Sequence, residues 1–181
     1  RIKEMIKDAL AQNRVEVFYQ PIYNVAMNKF TSAEALVRIR DVNGEIVPPG
    51  SFIPVAEKTG LIVPLGEEVF RQVCELLAGG EPIALGITYI EVNLSVVQCM
   101  QGGLAGDLIG IMKQYGVEPD QINLEITESA DSQSQKIIAE NLTALLNAGL
   151  TFSLDDFGTG YSNMQSIFSL DFDLGKIDKG I

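Results

Sequence analysis

Short apolar runs and longer amphipathic stretches follow one another along the chain, and their order predicts the first elements. Residues 2–12 have the spacing of an amphipathic helix, and two runs that alternate like strands follow at 15–22 and 30–40. The link at 23–29 is too short for a crossover helix, because parallel neighbours need about a dozen or more connecting residues. We therefore predict that the first two strands are antiparallel.

Helices and strands alternate regularly in the rest of the chain, after a turn signal at 41–44. The pattern predicts helices at 51–59, 65–78, 104–115, 134–148 and 162–169, and strands at 89–94, 122–127, 151–155 and 174–178. Gly149 stands where a glycine would cap the helix at 134–148. Strands that alternate with helices indicate an α/β fold with a parallel sheet covered on both faces.

Polar side chains occupy one face of these predicted strands and apolar side chains the other. Glu34, Asn93, Glu125 and Asp155 all lie on the polar face, each on a different strand. The apolar face should pack on the helices, and the polar face should line the lumen of a barrel. Burying so many polar groups is costly unless they pair or bind something, so the pattern predicts a site at one rim of an α/β barrel.

The residue types on the polar face favour divalent-metal chemistry. Carboxylate and amide oxygens suit Mg²⁺ or Mn²⁺ and disfavour thiophilic metals. Asp155 and Asp156 are adjacent, so one of them could bridge two cations, which at about 3.5–4 Å apart assist an in-line phosphoryl displacement. Lys176 and Arg38 would supply positive charge toward a phosphate, and Arg38 could do so bidentately.

Composition excludes several classes of function. The formal net charge of −11 argues against binding to a nucleic-acid polymer, although a small phosphorylated ligand is compatible with it if a cation is bound locally. Histidine is absent, which removes the Ser-His-Asp triad and most zinc sites. No apolar run approaches the roughly 18 residues of a membrane segment. Two cysteines without metal-like spacing indicate a reduced, cytoplasmic protein.

Each candidate residue also has a purely structural explanation. Asp156 could cap a helix start, and Glu128 could lie in a solvated loop. The side chains of Arg38 and Lys176 could form ion pairs with carboxylates on their own face. Arg38 would pair with Glu34, and Lys176 with Asp178. For a single residue these explanations compete with a functional one, whereas the ordered set as a whole favours a site.

Several motifs in a fixed order carry a resemblance to a known family. They are FYQPI at 18–22, EALVR at 34–38, SFIPVAEKTGLI at 51–62, VNLS at 92–95, LEITES at 124–129, LDDFGTGYSN at 154–163 and KID at 176–178. In this order and spacing the chain resembles an EAL-domain cyclic di-GMP phosphodiesterase. The resemblance implies a modified TIM barrel with an antiparallel first strand, and the hydrolysis of cyclic di-GMP to linear pGpG at a two-metal site holding Mg²⁺ or Mn²⁺.

The resemblance also implies a role for particular residues. The implied metal ligands are Glu34, Asn93, Glu125, Asp155 and Asp156, of which the last two would contribute to the second metal. The implied catalytic residues are Lys176, Asp156 and Glu128, and the implied substrate-binding residues are Gln20, Leu36 and Arg38. Lys176 would help to hold the attacking water. Glu128 would steady the loop at 156–162, which in this family couples the site to dimerisation.

The family pattern continues beyond residue 181 with a strand that bears a candidate general base, and a TIM barrel typically needs about 250 residues. We therefore expect residues 1–181 to form a single EAL domain that is C-terminally incomplete, truncated after the sixth strand. The alternative function is an inactive module that binds cyclic di-GMP or a protein. The expected partners are cyclic di-GMP, a second copy in a homodimer, and a fused sensor or GGDEF-type domain. The expected location is the cytoplasm, including the cytosolic part of a membrane-anchored protein.

Overall fold

The computed structural model describes residues 1–127 and 135–155, without the side chains of Thr127, Leu154 and Asp155. The helices are α1 (Ile2–Ala11), α2 (Pro49–Thr59), α3 (Ile62–Ala78), α4 (Glu81–Ala84), α5 (Val96–Cys99), α6 (Leu104–Tyr115) and α7 (Gln135–Asn147). The strands are β1 (Val15–Asn24), β2 (Lys29–Arg40), β3 (Ile46–Val47), β4 (Tyr89–Leu94), β5 (Ile122–Thr127) and β6 (Thr151–Asp155). The helix predicted at 162–169 and the strand predicted at 174–178 lie outside the described residues.

The boundaries of α2 and α3 differ from those predicted, since both helices begin two or three residues earlier, at 49 and 62. Pro49 occupies the first position of α2, where its fixed φ suits a helix and its missing N–H leaves no bond unmade. The short elements β3, α4 and α5 were not predicted. The single turn of α5 is closed by a capping box, in which the N–H of Val97 donates to the Ser95 hydroxyl and the N–H of Ser95 donates to the Gln98 side chain.

The chain forms two compact units, Arg1–Ile90 and Glu91–Ile181, and the boundary falls within β4. In the first unit, β1 and β2 are antiparallel, as the short link predicts, with Val15 opposite Ile39 at one end of the ladder. The strand β3 pairs antiparallel with the end of β2. One face of the β1–β2 pair is apolar and packs toward the helices, where Phe52 of α2 and Phe70 of α3 are buried.

In the second unit, β4, β5 and β6 are neighbours in that order, and β5 and β6 are parallel. The predicted alternation holds on each of these strands: Val92, Leu124 and Phe152 are buried, while Asn93 is exposed and Glu125 half-buried. The apolar positions therefore supply the core of this unit, as the parity of the sequence predicts. Across residues 1–127 and 135–155, none of the helices has the length and apolar character needed to span a bilayer.

A buried asparagine ties three helical segments of the second unit together. Asn141 of α7 donates from Nδ2 to the carbonyl oxygens of Cys99 (2.9 Å) and Gln101 (2.7 Å). Its Oδ1 accepts from the N–H of Ala105 at 3.3 Å. Ala105 lies in the first turn of α6, where N–H groups have no partner within the helix, and the capping position is Gly103, which has no side chain to offer. Asn141 thus supplies from a neighbouring helix the bond that α6 cannot make itself.

Substitution by alanine should have opposite effects on stability at two glycines of the second unit. Gly149 ends α7 with φ +101°, and a Cβ there would lie 3.2 Å from Cβ of Pro119. Gly110 lies within α6 with nothing near an added Cβ. We expect Gly149→Ala to lower the free energy of unfolding by about 1–2 kcal/mol and Gly110→Ala to raise it by about 0.5–1 kcal/mol. Urea denaturation of both variants checks this, and shifts of the same sign would contradict it.

Candidate functional site

The β1–β2 ladder gathers the predicted substrate-binding residues and one predicted metal ligand on a single face. The directly opposite pairs are Glu16 with Arg38, Phe18 with Leu36, and Gln20 with Glu34. Side chains directly opposite each other in an antiparallel pair project to the same side, and so do residues two positions apart on one strand. These six residues therefore form one surface, the β1–β2 face, which includes Gln20, Glu34, Leu36 and Arg38.

The β1–β2 face is accessible along both of its strands. Gln20 and Phe18 are exposed, and Glu34, Leu36 and Arg38 are half-buried. On the opposite side of β2, Ala33, Ala35 and Ile39 are buried and Val37 is half-buried. A ligand can therefore reach the predicted residues, while the alternate residues hold the strands on the core.

Arg38 has a defined position on the β1–β2 face. Its guanidinium carbon lies 5.5 Å from the centre of the Phe18 ring, and its Nη1 donates to the carbonyl oxygen of Val37 at 2.8 Å. Glu16, directly opposite Arg38, instead accepts a hydrogen bond from Nε of Arg40 at 2.6 Å. This hydrogen bond and the charge of Glu16 raise the pKa of Arg40.

In the second unit, predicted ligands lie on the polar faces of two neighbouring strands, Asn93 on β4 and Glu125 on β5. Deeper on the same face of β5, Nδ2 of Asn123 donates to the Thr151 hydroxyl at 2.9 Å. The Asn123 side-chain oxygen in turn accepts from the Ser153 hydroxyl. These bonds satisfy the buried Asn123 amide, so a ligand is not needed to pair with the polar face of β5 at this position.

Asp155 closes β6, and its backbone is in register with Thr127, two residues after Glu125. The Asp155 side chain lies outside the described part of the structure, as do the residues Asp156, Glu128 and Lys176. Among the described residues, no group of three or more His, Cys, Asp or Glu side chains is placed to hold a metal ion. The two-metal site therefore stays a prediction.

The donor types among the described residues fit a hard divalent cation. Glu34, Asn93 and Glu125 offer side-chain oxygens, which are the ligands that Mg²⁺ and Mn²⁺ prefer. Both cysteines are fully buried without a disulfide, and burial raises the pKa of the Cys74 and Cys99 thiols to about 12. They remain protonated at neutral pH, and a protonated thiol is a poor ligand for a softer metal.

A separate groove of about 550 Å³ lies in the first unit, on the opposite side of β1 from the β1–β2 face. Its lining includes Val15, Tyr19 and Gln72, and none of the predicted site residues. Gln72 of α3 donates to the carbonyl oxygen of Val15 at 2.9 Å and so fixes the start of β1 on the helix. Burial raises the pKa of Tyr19 to about 12, so its phenol is neutral at physiological pH.

Sequence reasoning missed the contact between Phe18 and Arg38. The alternation of FYQPI already put Phe18 on the same face as Gln20, which was the available signal. An aromatic residue in a strand normally indicates core, however, and Phe18 is 40% exposed. The pairing that joins it to Arg38 depends on the register of the hairpin, which the bulge between Ile22 and Tyr23 adjusts.

Comparison with known proteins gives a consistent family. The family model described as EAL domain matches residues 3–181. MucR of Pseudomonas aeruginosa, a "Bifunctional diguanylate cyclase/cyclic di-GMP phosphodiesterase", is 35% identical over 182 residues, which cover 97% of this chain and 26% of MucR. The "Probable cyclic di-GMP phosphodiesterase PdeB" of Escherichia coli is 36% identical over 174 residues, which cover 96% of this chain and 33% of PdeB.

The solved structures include a similar one, the PaMucR phosphodiesterase in its c-di-GMP complex. It matches with a TM-score of 0.80 and 32% sequence identity, covering 91% of this chain and 66% of that chain. The match confirms the predicted α/β fold class and the predicted resemblance. This chain spans only about a quarter of MucR and a third of PdeB.

Proposed function

The chain belongs to the EAL domain family, and from this premise we propose that it hydrolyses cyclic di-GMP to linear pGpG with the aid of two Mg²⁺ or Mn²⁺ ions. The observation that carries the proposal is the β1–β2 face, where Gln20, Glu34, Leu36 and Arg38 are adjacent and accessible. Relatives at 35–36% identity are named as phosphodiesterases of this dinucleotide.

We assign substrate binding to three residues of the β1–β2 face. The planar Arg38 guanidinium has five N–H donors, of which one is used on the Val37 carbonyl, and it suits bidentate binding of a phosphate. The exposed Gln20 amide can donate and accept hydrogen bonds to a base or sugar. Leu36, opposite Phe18, offers apolar surface to a base.

We assign metal binding to Glu34, Asn93, Glu125, Asp155 and Asp156. When bound, the ions polarise a phosphoryl oxygen and lower the pKa of coordinated water. The ions would also offset the negative charge of the carboxylates, so that an acidic protein can accept an anionic dinucleotide. In this assignment Lys176 holds the attacking water by hydrogen bonding, Asp156 acts in catalysis as well as in ligation, and Glu128 steadies the loop at 156–162.

The test is to incubate the full chain with cyclic di-GMP and either Mg²⁺ or Mn²⁺, with an EDTA-treated sample beside each. We expect pGpG to form with metal and to be undetectable after chelation, and chromatographic separation of the two nucleotides measures it. Arg38→Ala should weaken substrate binding, because it removes the proposed phosphate contact.

Calorimetry on the same samples distinguishes the alternative function. Binding of cyclic di-GMP without pGpG at either metal would favour an inactive binding module over a phosphodiesterase. If neither binding of cyclic di-GMP nor formation of pGpG is detected, both the phosphodiesterase and the binding module are ruled out. A sample in which Ca²⁺ replaces Mg²⁺ serves as the control for metal identity, because Ca²⁺ is larger and less strict in its coordination geometry.

The proposal extends to partners and location. We propose a homodimer, and a fused sensor or GGDEF-type domain; the name of MucR gives that protein a diguanylate cyclase activity beside its phosphodiesterase activity. We also propose a cytoplasmic location, because the free thiols of Cys74 and Cys99 suit a reducing compartment.

A further inference from the structure

Phe18 lies between the proposed substrate-binding residues of the β1–β2 face, and we propose that it is a positioning residue that holds the Arg38 guanidinium for the phosphate of the bound dinucleotide. The inference rests on the proposed function, because it concerns how that site is built. Phe18 occupies the centre of the β1–β2 face, with the pair of Gln20 and Glu34 on one side and the pair of Glu16 and Arg38 on the other.

The contact between ring and cation is close enough to fix the side chain. The guanidinium carbon of Arg38 is 5.5 Å from the ring centre of Phe18, within the roughly 6 Å over which an aromatic ring attracts a cation. The two residues are diagonal neighbours across the strands, because Phe18 faces Leu36 and Arg38 comes two positions later. A long arginine side chain spans that separation without distorting either strand.

The alternative partner of Arg38 on this face is occupied. Glu16 stands directly opposite Arg38, at the position where an ion pair across the strands would normally form. Its carboxylate is bound instead by Nε of Arg40 at 2.6 Å, with both side chains a little over a third exposed. Arg40 therefore binds the carboxylate that stands directly opposite Arg38 on β1, and the Phe18 ring contacts Arg38 across the strands.

The choice of a ring over a carboxylate matters for binding a phosphate. A carboxylate would neutralise Arg38 and use two of its donors in a forked pair. The ring leaves the full positive charge and accepts no conventional hydrogen bond, while it restricts where the guanidinium can go. Phe18 thus prepares Arg38 for a phosphate and reduces the ordering that binding would otherwise require.

The main test replaces Phe18 by leucine in the full chain and measures hydrolysis of cyclic di-GMP with Mg²⁺. We expect Phe18→Leu to raise KM by about 2–5-fold, because it removes one exposed cation–π contact. The value of kcat should stay within about twofold of wild type. Phe18→Trp should restore KM, since it keeps an aromatic face. The matched control is Phe30→Leu, because Phe30 is an exposed aromatic of the same hairpin that packs edge-to-face against Tyr23 instead.

A double-mutant cycle separates positioning from direct contact with the substrate. If Phe18 acts through Arg38, Phe18→Leu should change the Kd for cyclic di-GMP in the wild-type background but not beside Arg38→Ala. If Phe18→Leu changes the Kd by the same factor in both backgrounds, the ring contacts the substrate itself, and the inference is overturned. If Arg38→Ala binds too weakly to measure, Arg38→Gln takes its place in the cycle, because it also removes the cation and keeps part of the hydrogen bonding.

A spectroscopic measurement reports on the contact without any substrate. The chain has no tryptophan and five tyrosines, so Phe18→Trp introduces a single tryptophan, whose fluorescence can be excited selectively. Its emission should differ between the Arg38 and Arg38→Ala backgrounds, and identical spectra would count against the contact. If the wild type hydrolyses cyclic di-GMP and Phe18→Leu has the same KM, this inference alone is overturned. If the wild type neither binds nor hydrolyses cyclic di-GMP, the proposed function is overturned as well.

Discussion

Glu34→Gln is expected to lower the rate of cyclic di-GMP hydrolysis by at least about 100-fold, since even residues that only support metal ligands cost 10–100-fold when changed. The substitution keeps the size of the side chain and removes its charge, so the half-buried position on β2 should remain well packed. Initial rates of pGpG release with saturating Mg²⁺ and with Mn²⁺ give the measurement. Glu45→Gln, an exposed carboxylate in the turn after β2, is the matched control and should keep full activity.

The same pair of variants tests metal binding without turnover. Divalent ions that bind only the folded chain raise its melting temperature, so millimolar Mg²⁺ or Mn²⁺ should raise that of the wild type. The increase should shrink with Glu34→Gln and persist with Glu45→Gln. An equal increase in all three proteins would show that the ions act elsewhere, and it would remove Glu34 from the set of metal ligands.

Strand parity was the part of the fold that could be predicted most directly from the sequence. The alternation of apolar and polar residues on β4, β5 and β6 matches the observed burial, except that Asn123 on the polar face of β5 is buried. The antiparallel pairing of β1 and β2 followed from the length of their link, which is a constraint of chain geometry and needs no knowledge of packing. Both inferences rest on local properties of the backbone.

Elements that depend on a few side-chain contacts could not be predicted in the same way. The turn α5 is too short for an apolar period, and it depends on the reciprocal bonds between Ser95 and Gln98. The Phe18–Arg38 contact depends on cross-strand register, and on the competing ion pair of Glu16 with Arg40. Composition and periodicity carry no information about either, because both involve a choice among several possible partners.

The burial of Asn141 could be predicted from the sequence, whereas its hydrogen-bonding partners could not. It lies three residues after the buried Ile138 and four before the buried Leu145, so a helical period places it on the apolar stripe of α7. A polar residue on such a stripe needs a hydrogen-bonding partner. Which backbone groups would provide one was not predictable, since they lie 36 to 42 residues away in sequence.

Asn141→Ala is expected to lower the free energy of unfolding by about 2–4 kcal/mol, because it leaves buried backbone groups without partners. The variant loses the bonds to the carbonyl oxygens of Cys99 and Gln101 and to the N–H of Ala105. At 6% exposure of Asn141, water cannot easily replace them. Chemical denaturation measures the loss, and the control is Asn147→Ala at an exposed position on the same helix, with an expected change within about 0.5 kcal/mol.

Asn141→Leu separates the hydrogen bonds from the volume of the side chain. Leucine refills the space with apolar atoms but offers the connection between α5 and α6 neither donor nor acceptor, so it should destabilise the second unit nearly as much as alanine does. A leucine variant as stable as wild type would mean that packing alone holds α7 at this position. In that case the bond from Ala105 would not be needed to begin α6.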